Sequence, residues 1–421
     1  MIIPVWLNPV ALILVWIGLA FASWSVPEDS YLSIMRSYKY VDGALVLNCL
    51  MMLCIFALGA LLAIFSSRRR PRSSIALERA FEFLLHRSVV NFAVGAYIVT
   101  IAAYLLAFGS TLSLATVESF KNGSIGYANL GNQVPGVTTA TQLGIFVVTY
   151  CSLVRFSRVE ISRSLNRWMK LMIWSLIGLS AYRALLWHER LAVIEVVVPI
   201  LVVYSVYTAR NRTLLNLAPL FAVAGAIALF GLFEYFRSWE FYRSQYSNIV
   251  VFSTVRFASY YYTAFNNFGM AMDFIKPTWQ PIWTLDFLYR FPIPGNPLLE
   301  SKAEANSLLF GQALRSFANL EFNLYGGIGF LYLDFGVIGG SLISGLIGFI
   351  SGRLFNAFRR FAVYGLIIYP FWMVGILDFG RILYWPSSRA FPAWCCILIL
   401  LFLQARYVKL RAKVASRTLQ S

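Results

Sequence analysis

The sequence predicts an all-α polytopic integral membrane protein of about ten transmembrane helices, with ten to twelve as the range, and one large, partly helical loop. Of its 421 residues, 59% are hydrophobic and 13% are charged, whereas a soluble globular domain carries about 25% charged residues. The apolar residues form runs that match the roughly 20 residues a helix needs to cross a bilayer. One interval, Phe236–Gly326, is too polar to be a span and too aromatic to be a disordered linker.

Ten candidate spans make residues 1–421 a single transmembrane domain. They lie near 8–25, 43–65, 89–108, 138–154, 170–187, 191–207, 214–235, 333–352, 361–377 and 391–405. No basic residue precedes the first span, so we expect it to be a retained helix and not a signal peptide. The interval 236–326 falls between the seventh and eighth spans and is therefore the large loop.

Lys and Arg are unevenly distributed along the chain. The connections at 66–88, 155–170, 208–213 and 351–360 and the tail at 405–421 hold 21 of the 35 basic residues but only 3 of the 18 acidic ones. Because basic loops stay in the cytoplasm, both termini are predicted to be cytoplasmic in a bacterial inner membrane, with loop 236–326 in the periplasm. The net charge of +17 then reflects topology and attraction to anionic membrane lipid, and no nucleic-acid partner is expected.

Three helices are predicted outside the spans. Ser74–Arg87 has the pattern of an amphipathic helix at the membrane interface. Within the large loop, Val255–Phe274 is long and apolar enough for a helix on the membrane surface. A proline-rich stretch follows it, and a second loop helix is predicted to start at Ser301, because Ser301 and Glu304 have capping-box spacing.

The turn between the fifth and sixth spans carries Arg183, His188 and Arg190, and Glu195 follows inside the sixth span. A guanidinium near the membrane surface suits bidentate binding of a phosphate, although snorkelling to lipid headgroups is the simpler alternative. Arg190 and Glu195 are five positions apart, roughly 140° around a helix. Their pairing with each other is therefore not automatic.

The first loop helix carries Arg256, Tyr260, Tyr261, Asn266 and Asn267. Aromatic faces with amide and guanidinium hydrogen-bonding groups are what a carbohydrate-binding cleft requires. An aromatic belt at the membrane interface is the competing interpretation.

Five further candidates come from the end of the large loop, the eighth span and the last outer turn. Glu321, Asn323 and Asp334 lie just before or at the mouth of the eighth span. A carboxylate there is a candidate general base or a counter-ion to an arginine. Arg315, near the end of the second loop helix, and Arg381, in the last outer turn, complete the set; interfacial anchoring is the alternative for Arg381.

The order of these segments resembles the O-antigen polymerase family, also called oligosaccharide repeat-unit polymerases. The matching pieces are Arg190-x4-Glu195-x3-Pro199 and the run Arg256-Phe-Ala-Ser-Tyr260-Tyr261 that continues to Asn266-Asn267. A third piece is Glu321-Phe-Asn323 followed by Tyr332-Leu-Asp334-Phe-Gly336 and Gly339-Gly340. The likeness in span pattern covers most of the chain, and the motif-like part covers about 190–340. An Arg-x15-Gly pattern reported in some members is absent from the loop.

The resemblance implies a periplasm-facing glycosyltransferase, which is compatible with a glycosyltransferase-C-like architecture. It would transfer a growing glycan from undecaprenyl diphosphate to the terminal sugar of a new lipid-linked repeat unit, with no metal or other cofactor. The implied diphosphate-binding residues are Arg183, Arg190 and Arg256, and the implied proton acceptor is Glu195, Glu321 or His188. The implied glycan-binding residues are Tyr260, Tyr261, Asn266, Asn267, Asn323, Asp334, Arg315 and Arg381. A polysaccharide chain-length regulator is a candidate partner.

Three other functions remain open at this point. An O-antigen ligase would use the same donor but transfer the glycan to lipid A core. A transporter or flippase for lipid-linked oligosaccharides should place arginines in a central cavity, whereas the charges here gather at one side. A membrane-embedded structural or regulatory protein is the fourth class.

Overall fold

The computed structural model of the chain describes residues 3–66, 74–111, 136–157, 159–187, 189–207, 211–289 and 297–418. It is 81% helical, and these residues contain no β-strand. The helices are α1 (Pro9–Ser25), α2 (Glu28–Met35), α3 (Gly43–Ser66), α4 (Ser74–Leu84), α5 (Arg87–Phe108), α6 (Leu143–Phe156, after one turn at Val137–Ala140), α7 (Arg163–Trp187), α8 (Leu191–Tyr207), α9 (Arg212–Arg237), α10 (Trp239–Tyr242), α11 (Ile249–Phe274), α12 (Asp286–Tyr289), α13 (Pro297–Phe317), α14 (Gly326–Arg359), α15 (Val363–Leu377) and α16 (Phe391–Thr418).

Seven of these segments are long and apolar enough to cross a membrane: α3, α5, α6 with its preceding turn, α7, α9, α14 and α16. The pair α1 and α2 passes the same test together but is bent by 97°. Helices α8 and α15 are apolar but shorter, with 17 and 15 residues. The predicted α-helical polytopic membrane protein is confirmed, and the number of spans stays a prediction.

Side-chain contacts show which helix termini lie together at each end of the bundle. At one end, which we call the loop end, ion pairs involve Glu189 after α7, Glu234 at the end of α9, Glu321 after α13 and Arg389 after α15. At the other, the basic end, Tyr150 in α6 donates a hydrogen bond to the carbonyl of Leu84 in α4 at 2.8 Å. Arg411 of α16 also pairs there with Glu82 of α4.

Helix α14 packs along α3 through a stripe of small residues spaced four apart: Gly340, Ser344, Gly348 and Gly352. A Cβ atom added at Gly348 would overlap the carbonyl oxygen of Phe56. The Ser344 hydroxyl donates to the carbonyl of Met52 at 2.8 Å. Small residues allow two backbones to approach this closely in an apolar bundle.

Between α9 and α14, helix α11 lies across the loop end of the bundle. Its carbonyl at Tyr262 accepts from Ser23 near the end of α1 at 3.4 Å, and its Gly269 packs against the backbone of Tyr40. The helix starts at Ile249, six residues before the predicted start, because Asn248 caps it by accepting from the N–H of Val251 at 2.9 Å. Helix α11 therefore supports the loop residues at this end of the bundle.

The predicted helix start at Ser301 is wrong. Helix α13 already begins at Pro297, so Ser301 lies within it and does not cap it. Proline suits the first turn of a helix, because its fixed φ is preorganised there and its missing N–H costs nothing.

Helix α14 is broken at Gly336, whose φ of 63° and ψ of −171° are not helical. The break frees the carbonyl of Leu333, which accepts from the N–H of Thr278 at 2.8 Å. The carboxylate of Asp334 accepts from the N–H groups of Trp283 at 2.8 Å and Thr284 at 2.7 Å. The residues just before Gly336 therefore attach the segment that follows α11 to helix α14.

We predict that Gly348→Ala destabilises the protein because its new methyl group collides with the α3 backbone. Overpacking of this kind costs about 1–3 kcal/mol. The matched control is Gly178→Ala in α7, where a Cβ meets nothing within 4 Å and where alanine favours the helix by about 0.5–1 kcal/mol. Thermal unfolding of the detergent-purified protein measures both; equal midpoints in the two variants would contradict the packing argument.

Candidate functional site

Five charged side chains meet at the loop end in a group that we call the Glu321 cluster: Arg36, Arg190, Glu234, Arg256 and Glu321. The guanidinium of Arg256 contacts Glu321 at 2.5 Å and Glu234 at 3.3 Å. Arg36 pairs with Glu321 at 2.9 Å, and Arg190 pairs with Glu234. The five residues thus form one chain of alternating charges with one positive charge in excess.

The Glu321 cluster is buried at one end and open at the other. The side chains of Glu234 and Arg256 are 0% and 7% exposed, whereas those of Glu321 and Arg36 are 35% and 47% exposed. The Ser238 hydroxyl donates to Glu234 at the buried end. Because buried charges need partners, Glu234 holds Arg190 and Arg256 in place. The Arg36–Glu321 pair is the most exposed part of the cluster.

Arg36 lies at the end of the turn Tyr31–Met35, which has π-helical hydrogen bonding. Its φ of 52° and ψ of 47° are left-handed, a conformation uncommon for residues other than glycine. The guanidinium donates to the hydroxyl of Tyr242 at 2.5 Å, and that hydroxyl donates to Glu321 at 3.2 Å. Strained backbone and π-turns are enriched at functional sites.

The carboxyl group of Glu321 has a lowered pKa. Burial acts to raise the pKa, but the positive charges of Arg256 and then Arg36 outweigh it. The pKa of the Tyr242 hydroxyl is raised by its burial and by the negative charge of Glu321. Glu321 is therefore an ionised acceptor with a protonated phenol beside it.

A second group, the Glu189 cluster, consists of Arg183, Glu189, Glu195 and Arg389. The guanidinium of Arg389 binds both oxygens of Glu195, at 2.8 Å and 2.9 Å, and reaches Glu189 at 3.0 Å. Arg183 contacts Glu189 at 2.7 Å. The Glu195 side chain is 1% exposed, so its role in this arrangement is to hold Arg389.

The Glu189 cluster borders a polar cavity of about 320 Å³. Its wall consists of Thr138, Thr139, Gln142, Arg183, Trp187, Glu189, Ser388 and Arg389. Burial acts to raise the pKa of the Glu189 carboxyl, but Arg389 and then Arg183 outweigh it, and the pKa is lowered. The cavity therefore offers two guanidiniums, an ionised carboxylate, three hydroxyls and one indole ring.

Tyr260 lies between Arg190 of the Glu321 cluster and Arg381, which precedes α16. The guanidinium of Arg190 lies 5.1 Å from the centre of the Tyr260 ring, and that of Arg381 lies 5.6 Å from it. Arg381 also lies 5.7 Å from the Tyr261 ring and pairs with Asp378 at 3.3 Å. Cation–π contacts of this kind contribute about 0.5–2 kcal/mol and hold these rings at the site.

Most of the charged candidates from the sequence lie in these two clusters, but not in the pairs that their order along the chain suggests. Arg190 pairs with Glu234 and not with Glu195, which pairs instead with Arg389. Arg183 belongs to the Glu189 cluster. His188 lies outside the described residues.

The predicted amide and loop candidates lie outside the two clusters. Asn266 donates to the carbonyl of Tyr38 at 2.7 Å, and Asn267 donates to that of Leu324 at 2.9 Å, so both hold backbone segments together. Asp334 has the anchoring role described above. Asn323 and Arg315 are exposed on the loop.

Sequence reasoning missed Arg36, Glu234 and Arg389. Glu234 offered the clearest signal, because it is a carboxylate inside the predicted span 214–235, and charges within spans are rarely incidental. Arg36 and Arg389 are basic residues that lie outside the five segments in which most Lys and Arg residues are found. Nothing in the spacing links either arginine to its partner.

Comparisons of the chain with protein-family models, with curated proteins and with solved structures found no match.

The two clusters supply guanidinium groups that are paired with carboxylates in this structure. Such groups bind phosphate or diphosphate by exchange of one anion for another. Aromatic rings and hydroxyls beside them suit a sugar.

We predict that the contribution of Glu321 to stability depends on pH. Its folded-state pKa is lowered, so the contribution is present above the unfolded value of about 4.3 and is lost as pH falls through the folded-state pKa. Wild-type protein should therefore unfold at a higher temperature than Glu321→Gln at about pH 7, and the two should converge below about pH 4.

The control for this measurement is Glu240→Gln. Glu240 pairs with Arg243 at 3.0 Å, but its side chain is 80% exposed, so its ion pair should contribute little. Its unfolding temperature should follow the wild type at every pH. A Glu321→Gln curve parallel to the wild type would show that the pairs with Arg36 and Arg256 do not stabilise the fold.

Proposed function

We propose that the chain is a periplasm-facing membrane glycosyltransferase that polymerises oligosaccharide repeat units carried on undecaprenyl diphosphate. The observation that carries the proposal is the convergence of Arg190, Arg256 and Glu321 in one cluster. These residues come from three separate segments, and each segment resembles the O-antigen polymerases. Their meeting at one end of the bundle fits a single site for a lipid-linked anionic substrate.

The Glu321 cluster binds the donor diphosphate by exchange. Arg36 is 47% exposed, so it can turn from Glu321 to an incoming phosphate. Arg256 has one neighbour at each end, Glu234 and Glu321, and keeps the buried one. The diphosphate takes the place of Glu321 beside these guanidiniums, which match its oxygens bidentately.

This exchange also prepares the proton acceptor. A carboxylate between two arginines has a low pKa and is a weak base. When the diphosphate takes over Arg36 and Arg256, Glu321 loses the positive charges that lowered its pKa. The pKa then rises toward the range suited to general-base catalysis.

Transfer then proceeds in one displacement. Glu321 takes the proton of the acceptor hydroxyl, whose oxygen forms a bond to the anomeric carbon of the donor glycan. The bond from that carbon to the diphosphate oxygen breaks, and its electron pair leaves with the diphosphate. Arg36, Arg190 and Arg256 stabilise the charge that develops there, which is often the largest contribution to catalysis.

The cavity of the Glu189 cluster and the adjoining rings hold the sugars. Its volume of about 320 Å³ lies at the lower end of the range for small-molecule sites. Trp187, Tyr260 and Tyr261 offer ring faces to sugar C–H groups. Thr138, Thr139 and Ser388 offer hydroxyls at the cavity wall.

We predict that Arg256→Ala and Arg190→Ala each lower polymerisation by about 10²-fold or more, the effect typical of removing one group that stabilises the transition state. The measurement is chain extension by purified protein on synthetic undecaprenyl-diphosphate-linked repeat units. Arg243→Ala is the matched control, because that loop arginine is 62% exposed and pairs with the exposed Glu240, and it should leave the rate unchanged. Normal polymer from both Arg256→Ala and Arg190→Ala would remove the Glu321 cluster from the mechanism.

A second prediction separates the polymerase from its alternatives. Cells that lack the protein should cap their surface lipid with single repeat units, because ligation of unpolymerised units continues. Free polymer that remains on the carrier lipid would instead identify a ligase. Repeat units trapped on the cytoplasmic face would identify a flippase. Glycan electrophoresis and extraction of the carrier lipid distinguish these outcomes.

A further inference from the structure

A second cavity lies at the basic end, away from both clusters. Its volume is about 690 Å³. Residues from the end of α4, the start of α5 and the last turns of α16 surround it: Phe83, His86, Ser88, Val89, Leu403, Arg406, Tyr407, Leu410 and Arg411. Nothing in the proposed transfer reaction uses this cavity.

The cavity has an apolar wall and a basic rim. Phe83 packs against Tyr407 with ring centres 5.5 Å apart, and His86 contacts the same ring at 5.2 Å. The Nδ1 atom of His86 accepts from the N–H of Ser88 at 3.4 Å, so the other ring nitrogen is left to donate. Arg406 and Arg411 lie along α16 at the rim.

The two arginines differ in their pairing. Arg411 contacts Glu82 and lies 5.4 Å from the centre of the Tyr407 ring. Arg406 lies 4.9 Å from the centre of the Phe402 ring, and no acidic side chain in the described part of the chain pairs with it. The rim therefore carries a positive charge that no described acidic side chain neutralises.

The depth of the cavity matches a membrane interface. Val89 is the third residue of α5, a candidate span, and Leu403 lies at the end of the apolar part of α16. Beyond Leu403, helix α16 becomes basic, with Arg406, Lys409 and Arg411. The apolar wall is thus at the level of acyl chains and the basic rim at the level of headgroups.

We propose that this cavity is a binding site for one anionic phospholipid of the surrounding membrane. Its phosphate accepts from Arg406, Arg411 and His86, and the upper part of an acyl chain lies along Phe83, Val89 and Leu403. A cationic rim over an apolar wall between helices is the arrangement that recognises an acidic lipid headgroup. A soluble anion could bind the basic rim but would make no apolar contact with the wall of the cavity.

Native mass spectrometry of the detergent-purified, full-length protein tests the proposal. The probes are dioleoylphosphatidylglycerol, dioleoylphosphatidylcholine and inorganic phosphate, each titrated separately. We expect one phosphatidylglycerol molecule to remain bound under conditions that remove phosphatidylcholine. Arg406→Gln and Arg411→Gln should each weaken that binding about fivefold, which is the effect of roughly one basic residue at a charged membrane surface.

Two further variants separate a built site from general surface attraction. Lys409→Gln removes the same charge from the same helix but does not line the cavity, and it should bind phosphatidylglycerol like the wild type. Leu403→Trp fills the apolar wall while it keeps both arginines, and it should lose the bound lipid. Equal loss in Lys409→Gln, equal retention of both lipids, or unchanged binding in Arg406→Gln and Arg411→Gln would overturn the proposal.

Discussion

The loop end of this protein depends on two carboxylates that water does not reach. Glu234 and Glu195 have side chains that are 0% and 1% exposed, and each holds guanidiniums from other parts of the chain. A buried ion pair contributes little net stability, but loss of one member costs about 3–5 kcal/mol because the other is then left uncompensated. These pairs therefore act as fixed junctions, and they determine which helix termini must lie together.

Each junction joins segments that are far apart in sequence. Glu234 at the end of α9 holds Arg190 before α8 and Arg256 in α11. Glu195 in α8 holds Arg389 before α16. Arg190 also contacts the Tyr260 ring, which Arg381 contacts as well. The site is consequently a property of the whole bundle, and its most exposed cluster member, Arg36, lies outside the large loop.

The sequence allows most of the apolar helices to be predicted, because length and hydropathy are local properties. Helix α9 ends at Arg237, close to the predicted end near 235, whereas α14 begins at Gly326, before the predicted start near 333. Of the candidates that the resemblance implied for one site, Arg190, Arg256 and Glu321 lie in one cluster, whereas Arg183 and Glu195 lie in the other. The partners of these residues were not predicted, because an ion pair such as that between Arg36 and Glu321 has no characteristic spacing in the sequence.

The predicted start of α13 was wrong, since the capping pattern at Ser301 competed with a proline four residues earlier. The side chains of Asn266, Asn267 and Asp334 were polar enough to suggest a ligand, but backbone groups claim them.

In the proposed reaction, the gradient of exposure within the Glu321 cluster determines where the diphosphate enters. Ion pairs at the protein surface contribute about 0–1 kcal/mol, so displacement of Arg36 from Glu321 costs little. Displacement of Arg256 or Arg190 from Glu234 would cost several times more, because those charges are buried. A diphosphate therefore gains most by replacing Glu321 and leaving Glu234 in place. The same replacement removes the charges that hold the pKa of Glu321 low. In the proposed reaction, substrate binding and activation of the proton acceptor are then one event, which begins at Arg36, the most exposed residue of the cluster.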